Sequence, residues 1–349
     1  MKRFSILIAA LCLCLTGCGK QTTEAAAQIF AMDTVMEVAA YGEHAEQAVK
    51  YTEKRIKELE NRLSRTKADS LVSGLNRDGS IRHLTYDYWN LIARAKEYRD
   101  ATNGAFDITI APIMDAWGFT GDQFRVPEQS ELNELLKHVN SDEIQIQEEP
   151  AHSVTLGEGQ AIDLGGIAKG YTSDLVEQTF RANGIESGKI SLGGNVFVLG
   201  GKPDGSDWRV GIKDPRNESG LAAILSLRDA YAITSGGYER YFEENGKTYH
   251  HIIDSSTGYP ADSGLLSVTV VAADNGPDWA GAGNGAMCDA FSTALFVMGE
   301  EQALDFWRNG GYDFDLVLVT EDGRVVITAG LADRFEEVKD SGYTYETVS

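Results

Sequence analysis

The chain has 349 residues and a formal net charge of −22, because 53 Asp and Glu residues outnumber 31 Lys and Arg residues. This acidity argues against nucleic-acid binding and against adhesion to membranes through a polybasic surface, since both depend on clustered cations. Any ligand that carries a polyphosphate must therefore find local cations in its binding site.

The first residues are typical of a bacterial lipoprotein signal. Two basic residues precede an apolar run at positions 4–15, which is shorter than the roughly 20 residues that span a bilayer. The sequence LTGC at 15–18 resembles a lipobox, whose cleavage would leave Cys18 to receive a lipid. We therefore predict a signal peptide over 1–17, a flexible tether over 18–28, and a location on the extracytoplasmic side of the cell membrane. An ordinary signal peptide and a buried apolar terminus are the alternatives.

Residues 29–340 are predicted to form the folded domain, which opens with a strand and three helices. The strand is TVMEVAAYG. The first helix, HAEQAVKYTEKRIKELENRL, carries an apolar stripe from Ala48 to Leu63 at helical spacing. YDYWNLIARAKEYRDATNG predicts a second helix, and SELNELLKHV predicts a third with Ser130 as its N-cap.

A glycine-rich segment, AIDLGGIAKGYTSD, combines features of an anion-binding turn. We predict that a strand ends at Asp163, that residues 165–166 form a turn, and that a helix follows with Lys169 in its first turn. Free N–H groups and the helix dipole favour an anion at such a point, and a nearby Lys adds positive charge. A tight strand–helix turn with a solvated Lys169 is an equally good interpretation.

Strand-like runs dominate the rest of the chain. They are KISLGGNVFVLGG, DWRVGIKDP, AAILSLRD, AYAITSGG, TYHHIID and LLSVTVVAA, and FDLVLVTEDGRVVITAG predicts a closing hairpin. Helices and strands are mixed, and many strands follow one another closely enough to pair antiparallel. The predicted fold class is therefore α+β, with mixed, largely antiparallel sheets and packed helices.

Two segments could carry ligand or proton chemistry. In ATNGAFDITIAP, Phe106 and Asp107 could stack on and hydrogen-bond to a flat heterocycle, although a core Phe and a turn-capping Asp are commoner. In YHHIID, alternation along a strand places His250 and His251 on opposite faces. One of them could face a cleft and act as a base near neutral pH, while a structural role is the commoner outcome.

The apolar helix CDAFSTALFVMG carries three oxygen-bearing side chains on one face, because Asp289, Ser292 and Thr293 are spaced by three and four residues. Hard oxygen ligands with a single carboxylate suit Mg²⁺, which usually shares its coordination with water and substrate phosphates. The alternative is an N-cap at Asp289, with both hydroxyls bonded back to the preceding turn.

Seven motifs in this order resemble the ApbE family of FAD:protein FMN transferases. They are MDTVMEV, GAFDITIAP, DLGGIAKGY, SLGGNVFVLG, SGGYERYF, HHIIDSSTGYP and CDAFSTALFVMG, and they extend from about residue 30 to about residue 330. The resemblance implies a two-lobed architecture with a flavin site between the lobes. It also implies Mg²⁺-dependent transfer of FMN from FAD to a Ser or Thr hydroxyl of an exported or membrane-bound redox protein, with release of AMP.

The resemblance also assigns roles to residues of this sequence. It makes Asp289, Ser292, Thr293 and the main-chain carbonyl of Gly166 the metal ligands, and it places His251 as the base. The flavin site that it implies consists of Met32, Ala105, Phe106, Asp107, Asp163, Lys169 and Ile253.

The sequence departs from the family pattern at three points, and two rival activities stay open. Thr66 replaces a residue that is often aromatic near the flavin, Ser255 replaces a Pro and could loosen its turn, and the segment 275–287 is longer than expected. A Mg²⁺-dependent FAD pyrophosphatase, which forms FMN and AMP, would have the same site. A non-enzymatic flavin-carrier lipoprotein fits the sequence less well, because a carrier needs no metal face.

Overall fold

The computed structural model describes residues 23–121, 123–274, 276 and 283–349. Its strands, in chain order, are β1 (Glu24–Ala31), β2 (Thr34–Tyr41), β3 (Ser80–Arg82), β4 (Gln145–Gln147), β5 (Ser153–Thr155), β6 (Ser187–Leu192), β7 (Asn195–Leu199), β8 (Trp208–Asp214), β9 (Asn217–Leu227), β10 (Ala230–Gly236), β11 (Tyr241–Glu244), β12 (Lys247–His250), β13 (Leu265–Ala273), β14 (Asp315–Thr320), β15 (Arg324–Thr328), β16 (Phe335–Glu337) and β17 (Thr344–Val348). Its α-helices are α1 (Ala45–Leu63), α2 (Leu71–Asp78), α3 (Tyr86–Ala101), α4 (Ala111–Trp117), α5 (Gln129–Leu135), α6 (Ala168–Ala182) and α7 (Asn284–Asn309).

A nine-stranded sheet forms the centre of the molecule, in the order β1-β2-β6-β7-β10-β13-β14-β15-β17. Neighbouring strands in it are antiparallel except for β15 and β17, which are parallel. Smaller sheets are formed by β16-β9-β8, by β3-β5-β4 and by the hairpin β11-β12. The predicted α+β class with largely antiparallel sheets is confirmed, and the predicted closing hairpin is β14-β15.

Helices cover the sheet through apolar faces that the sequence pattern anticipates. α1 packs on β1 and β2, and α7 packs on β10 and β13. The predicted stripe of α1 is buried, since its helical spacing brings these side chains to one face; it consists of Ala48, Ile56, Leu59 and Leu63. The main core therefore lies between the sheet and α1, α3, α6 and α7.

The ends of the folded domain differ from the prediction. Residues 24–28, predicted as tether, belong to β1, because all of β1 pairs with β2 and Ile29 and Ala31 are buried. The domain also continues past residue 340, since β17 pairs with β15 and extends the central sheet. The predicted signal peptide and Cys18 lie outside the described residues. Within the described residues, no helix is long and apolar enough to cross a membrane.

Two predicted local features are wrong, and tertiary contacts explain one of them. The segment before Asp163 is not a strand. The side chain of Asn76 takes the place of a neighbouring strand, since it donates to the Ile162 carbonyl (2.9 Å) and accepts from the Ile162 N–H (2.8 Å). The third helix begins at Gln129 with Glu128 as its N-cap, so Ser130 lies inside the helix.

Helices α6 and α7 approach each other closely enough to require glycine at their crossing. A Cβ placed on Gly170 would lie 2.1 Å from the Gly285 carbonyl oxygen, and a Cβ on Gly285 would lie 2.4 Å from the Gly170 carbonyl oxygen. Either distance is far below van der Waals contact, so a side chain at either position would force the helices apart. This contact brings the first turn of α6 against the first turn of α7 and places Asp289, one turn further along α7, beside Gly170.

A separate aromatic cluster forms the second lobe. It centres on Trp117 at the end of α4, whose indole N–H donates to the Gly258 carbonyl (2.7 Å). The other rings of the cluster come from the loop after α4, from the β11-β12 hairpin and from the turn between β12 and β13; they are Phe119, Phe124, Phe242, Tyr249 and Tyr259. The structure thus has a small aromatic lobe beside the large sheet-and-helix lobe.

Candidate functional site

A cleft of about 480 Å³ lies between the two lobes, within the size range of small-molecule sites. The aromatic lobe contributes Met114 and Phe119 to its wall, and the sheet-and-helix lobe contributes the starts of α6 and α7. The structure brings together in this cleft nearly all of the residues that the sequence singled out: Met32, Ala105, Phe106, Asp107, Asp163, Gly166, Lys169, His251, Ile253, Asp289 and Thr293. Ser292 does not line it.

Asp289 does not cap its own helix. The N-cap of α7 is Gly283, and Asp289 lies in the second turn. Its carboxylate instead accepts a hydrogen bond from the Gly170 N–H (2.8 Å) in the first turn of α6. Burial raises the pKa of Asp289, while the Lys169 ammonium and the Gly170 N–H act to lower it. The capping alternative is therefore wrong for α7, and the carboxylate links the two helices at the cleft.

A matching contact runs in the opposite direction between the same helices. The carboxylate of Asp174, in the middle of α6, accepts hydrogen bonds from the N–H groups that begin α7, at 3.1 Å from Gly283, 2.8 Å from Gly285 and 3.0 Å from Ala286. Negative charge is favoured at a helix N-terminus. Each helix thus holds the start of the other, which fixes the position of Asp289.

The hydroxyls on the same face of α7 differ in their surroundings. Thr293 lines the cleft. Ser292 is fully buried, donates to the Asp289 carbonyl (2.9 Å) and shares a hydrogen bond with Ser235 of β10 (2.8 Å). Ser235 also shares a hydrogen bond with Thr293 (3.1 Å). Sequence reasoning missed Ser235, although it opens the SGGYERYF motif, because nothing local connects β10 to α7.

The donor set fits a hydrated divalent cation. Asp289 supplies a charge and Thr293 a hydroxyl, and a Cβ placed on Gly166 would lie 3.5 Å from that hydroxyl, so the Gly166 main chain runs beside it. Beneath them lies Asn195, fully buried at the start of β7 and close enough to Asp289 to lower its pKa. Neither polar atom of the Asn195 amide reaches a partner at hydrogen-bond distance. Buried amides without partners are rare and point to a missing ion or water.

The N-terminus of α6 is not the open anion site that the sequence suggested. The N–H groups of Ile167 and Ala168 donate to the Leu164 carbonyl (3.0 and 2.8 Å), and the Gly170 N–H is used by Asp289. The Lys169 side chain lines the cleft, and no described carboxylate lies within 4.0 Å of its ammonium group. The cationic partner for an anion here is therefore the Lys169 side chain rather than the helix end.

Asp163 is paired with a cation that the sequence did not reveal. The Arg65 guanidinium contacts the Asp163 carboxylate (3.3 Å) and the Asp115 carboxylate (2.6 Å). The other Asp163 oxygen accepts from the Gly165 N–H (2.7 Å) and closes the turn before α6. Arg65 comes from the segment after α1, far away in sequence, so no local pattern marked it.

Phe106 and Asp107 have different roles. Phe106 lines the cleft beside Gly166. The Asp107 carboxylate accepts from the Thr109 N–H (2.8 Å), the Thr109 hydroxyl (2.6 Å), the Ser141 N–H (3.1 Å) and the Ser141 hydroxyl. It is therefore a capping carboxylate, as the commoner interpretation held, with three donors on Oδ1, one on Oδ2 and the Arg99 guanidinium 3.6 Å from Oδ2.

His251 faces the cleft with a defined tautomer. Its main-chain N–H and its Nδ1 both lie against the Arg240 carbonyl (3.0 and 3.1 Å). A carbonyl only accepts, so Nδ1 carries the proton and Nε2 is the free acceptor. Burial and the nearby Lys169 ammonium lower the pKa of His251 to about 3, so the ring is neutral at physiological pH and the lone pair of Nε2 is free.

His250 has a structural environment, as the strand alternation predicted. Its Nε2 lies 3.0 Å from the Ala261 carbonyl, its Nδ1 accepts from the Ile252 N–H, and its ring packs edge-on against Phe296. It does not line the cleft. The two neighbouring histidines thus separate into one that faces the ligand space and one that is part of the core.

The three departures from the family pattern have different outcomes. Thr66 lies in the cleft wall, with its hydroxyl bonded to Ser64. Ser255 does not loosen its turn, because its hydroxyl donates to the Gly104 carbonyl and ties the turn to the end of α3. Most of the segment 275–287 lies outside the described residues.

The chain has the fold of ApbE proteins with solved structures. An ApbE protein of Thermotoga maritima shares 30% sequence identity, covers 91% of this chain and 97% of its own, and superposes with a TM-score of 0.78. The flavin transferase ApbE of Vibrio cholerae, at 23% identity and a TM-score of 0.74, shares the fold.

The chain belongs to the ApbE family, whose family model matches residues 32–316. Relatives named FAD:protein FMN transferase occur in Treponema pallidum, at 32% identity over 81% of this chain and 80% of the relative, and in Klebsiella pneumoniae, at 34% identity over 82% and 86%. The resemblance that the seven motifs indicated is therefore confirmed.

Proposed function

We propose that this protein is an FAD:protein FMN transferase, which moves FMN from FAD to a Ser or Thr hydroxyl of an exported or membrane-bound redox protein and releases AMP. The observation that carries the proposal is the convergence of three groups in one cleft. A neutral histidine with a free Nε2, a lysine that forms no ion pair within 4.0 Å with a described carboxylate, and the Asp289–Thr293 face of α7 all line it.

The chemistry of the cleft suits FAD. An apolar wall with Phe106 suits the isoalloxazine ring, and the Lys169 ammonium suits the pyrophosphate. A protein of net charge −22 needs such a local cation to hold a polyphosphate. Arg65 contributes less, because Asp115 and Asp163 already neutralise it.

Mg²⁺ would be held by the Asp289 carboxylate, the Thr293 hydroxyl and the Gly166 carbonyl, and the unpaired Asn195 amide lies near Asp289. When bound, it supplies charge neutralisation on the pyrophosphate and polarises the bond to be broken. Within the described residues no cluster of three or more His, Cys, Asp or Glu side chains could form a metal site by itself. This donor set of one carboxylate, a hydroxyl and a carbonyl suits a cation that completes its shell with water and phosphate.

His251 is the base of the proposed transfer. Its Nε2 takes the proton of the incoming Ser or Thr hydroxyl, while the Arg240 carbonyl holds Nδ1–H and so fixes the ring. The hydroxyl oxygen forms a bond to the FMN phosphorus, the pyrophosphate P–O bond breaks, and AMP leaves with the electron pair. Lys169 offsets the negative charge that accumulates on the phosphate oxygens.

The cellular setting is inferred from the N-terminal sequence. The lipobox supports cleavage before Cys18 and attachment to the outer face of the cell membrane through a lipid. Stable anchoring takes two acyl chains, so Cys18→Ala should move the protein from the membrane fraction to the soluble exported fraction. Unchanged membrane association would contradict this part without affecting the transferase proposal.

The deciding experiment is mass spectrometry of an exported flavoprotein subunit co-expressed with this chain. Covalent FMN on a Ser or Thr, with one AMP released per FMN attached, supports the transferase. AMP and free FMN formed equally with and without acceptor would support the pyrophosphatase instead. Tight FAD binding without AMP release in the presence of Mg²⁺ would support a carrier.

A further inference from the structure

The hydroxyls of Ser292, Ser235 and Thr293 form a continuous hydrogen-bonded series from α7 to β10 and back, in which Ser292 is buried behind the cleft while Ser235 and Thr293 line it. Ser292 contacts the Asp289 carbonyl at 2.9 Å, Ser235 contacts Ser292 at 2.8 Å, and Thr293 contacts Ser235 at 3.1 Å. Each hydroxyl has one proton to donate and can accept from others. The direction of donation along these hydroxyls is therefore set by the one partner that can only accept.

That partner is the Asp289 carbonyl. The Ser292 hydroxyl donates its proton to this carbonyl, so the Ser235 hydroxyl donates to Ser292. Ser235 then has no proton left for Thr293, and the Thr293 hydroxyl must donate to Ser235. As a result, the Thr293 proton points away from the cleft and its lone pairs are free to face the cleft.

We propose that Ser235 and Ser292 are positioning residues that orient the Thr293 lone pairs toward a divalent cation in the cleft, and that Ser292 itself is not a ligand. This inference rests on the proposed Mg²⁺ site. Three observations carry it: the direction of the hydroxyl chain, the full burial of Ser292, and its absence from the cleft wall. A hydroxyl whose proton points at a cation repels it, so the direction of the chain decides whether Thr293 can bind.

The test is a double-mutant cycle on metal affinity, with Mn²⁺ binding followed by electron paramagnetic resonance in the absence of flavin. Residues behind metal ligands typically contribute 10- to 100-fold in affinity, so we expect Ser235→Ala to weaken Mn²⁺ binding by about tenfold. Ser235→Thr, which keeps the hydroxyl, should restore it. Thr269→Val is the matched control, because among the described residues this buried hydroxyl on β13 hydrogen-bonds only with Thr234, and the variant should bind Mn²⁺ like the wild type.

The double variant separates orientation from direct ligation. If Ser292 acts only through Ser235, then the variant with Ala at both positions should bind Mn²⁺ no more weakly than Ser235→Ala alone. If Ser292 is an independent ligand, the two losses should add, and that result would overturn the inference. Ser235→Cys, which is nearly isosteric, provides the same comparison should the alanine variant fold poorly.

The outcomes distinguish this inference from the proposed function. Wild-type protein that binds no Mn²⁺ would overturn the metal site and this inference with it. Wild-type binding that Ser235→Ala leaves unchanged would overturn the orienting role alone. Binding of FAD in EDTA, followed by flavin fluorescence, should be the same for all variants, because none of the changes touches a proposed flavin contact.

Discussion

The cleft has two walls, and the buried carboxylates in them differ in the hydrogen bonds that they accept. The helical wall, formed by residues 166–170 and 285–293, contains Asp289, whose carboxylate accepts from the Gly170 N–H (2.8 Å) and lies beside the Asn195 amide. The loop wall, formed by residues 105–107 and 251–255, contains Asp107, whose carboxylate accepts four hydrogen bonds. Both side chains are buried, so burial alone does not tell them apart.

The difference shows which carboxylate the fold keeps for a ligand. A buried carboxylate with all of its acceptor sites filled is stable as it stands, whereas one that is under-coordinated costs free energy unless a cation or water completes it. The unpaired amide of Asn195 lies beside Asp289 and not beside Asp107. The carboxylate of the helical wall is therefore suited to bind a metal, whereas the carboxylate of the loop wall stabilises the fold.

The substitution with the largest expected effect removes the carboxylate of the helical wall. We expect Asp289→Ala to abolish FMN transfer and FAD hydrolysis, a loss of more than about 10²-fold, because it is the only charged group among the proposed ligands. Asp289→Asn should be equally inactive but more stable, since its side-chain oxygen can still accept from Gly170. AMP release and thermal unfolding measure the two effects.

Thr293→Ala provides a graded control for that prediction. It removes a neutral ligand, so its loss of activity should be smaller and excess Mg²⁺ should partly restore it. Should Asp289→Ala lower only the unfolding temperature and keep full activity, the carboxylates of the two walls would both be structural.

The next largest effect is expected at His251, where the loop wall supplies its one chemical group. A positioned base typically contributes about 10²- to 10⁴-fold, and we expect His251→Asn to slow FMN transfer within that range while FAD still binds. His250→Asn is the matched control, because its ring packs against Phe296 outside the cleft. Single-turnover transfer and flavin fluorescence titration provide the measurements. Equal rates in the two variants would show that the base lies elsewhere.

The parts of the fold that could be predicted from sequence are those in which local pattern decides. The α1 stripe, the β14-β15 hairpin and the Asp289–Thr293 face of α7 follow from spacing alone. The predicted strand before Asp163 failed because a side chain, Asn76, replaced the neighbouring strand. The tether prediction failed at residues 24–28 because a polar, alanine-rich segment is ordered by pairing with β2.

The candidate site could be predicted where its residues belong to recognisable motifs, but not where they depend on contacts between distant segments. Motif resemblance placed eleven of its residues in one cleft, including His251 and Lys169. It missed Arg65, Asn195 and Ser235, whose partners lie on other elements and are far away in sequence. It also could not show that the Asp107 carboxylate accepts from Ser141, which reaches it from 34 residues away.

A smaller effect, on stability rather than chemistry, is expected from the carboxylate of the loop wall. Asp107→Ala leaves the Thr109 and Ser141 donors unpaired in the interior, which should lower the free energy of unfolding by about 1–3 kcal/mol. Activity of the folded protein should stay close to wild type. Asp115→Asn is the control, because that carboxylate is exposed and its ion pair with Arg65 should contribute less than about 1 kcal/mol. Urea denaturation gives both values, and a larger loss of activity than of stability in Asp107→Ala would assign its side chain to the ligand.

The smallest expected effect is a shift in pH dependence. His251 is a base only while it is neutral, and burial together with the Lys169 ammonium lowers its pKa to about 3. A depressed pKa extends the active form to lower pH, so kcat/KM for FMN transfer should show no acidic limb near 6.5, the usual pKa of an imidazole, and should fall only well below it.

Lys169→Met tests the cause of that shift. The substitution keeps an unbranched side chain and removes the charge that disfavours imidazolium, so the pKa of His251 should rise and the acidic limb should move to higher pH. Burial remains, so the limb should stay below 6.5 even though substrate binding weakens. Lys67→Met is the control, because that cation is paired with Glu60 (3.1 Å) and is not among the charges that act on His251. An acidic limb near 6.5 in the wild type, or one that Lys169→Met leaves in place, would mean that His251 is not held neutral by the helical wall and that the two walls act independently.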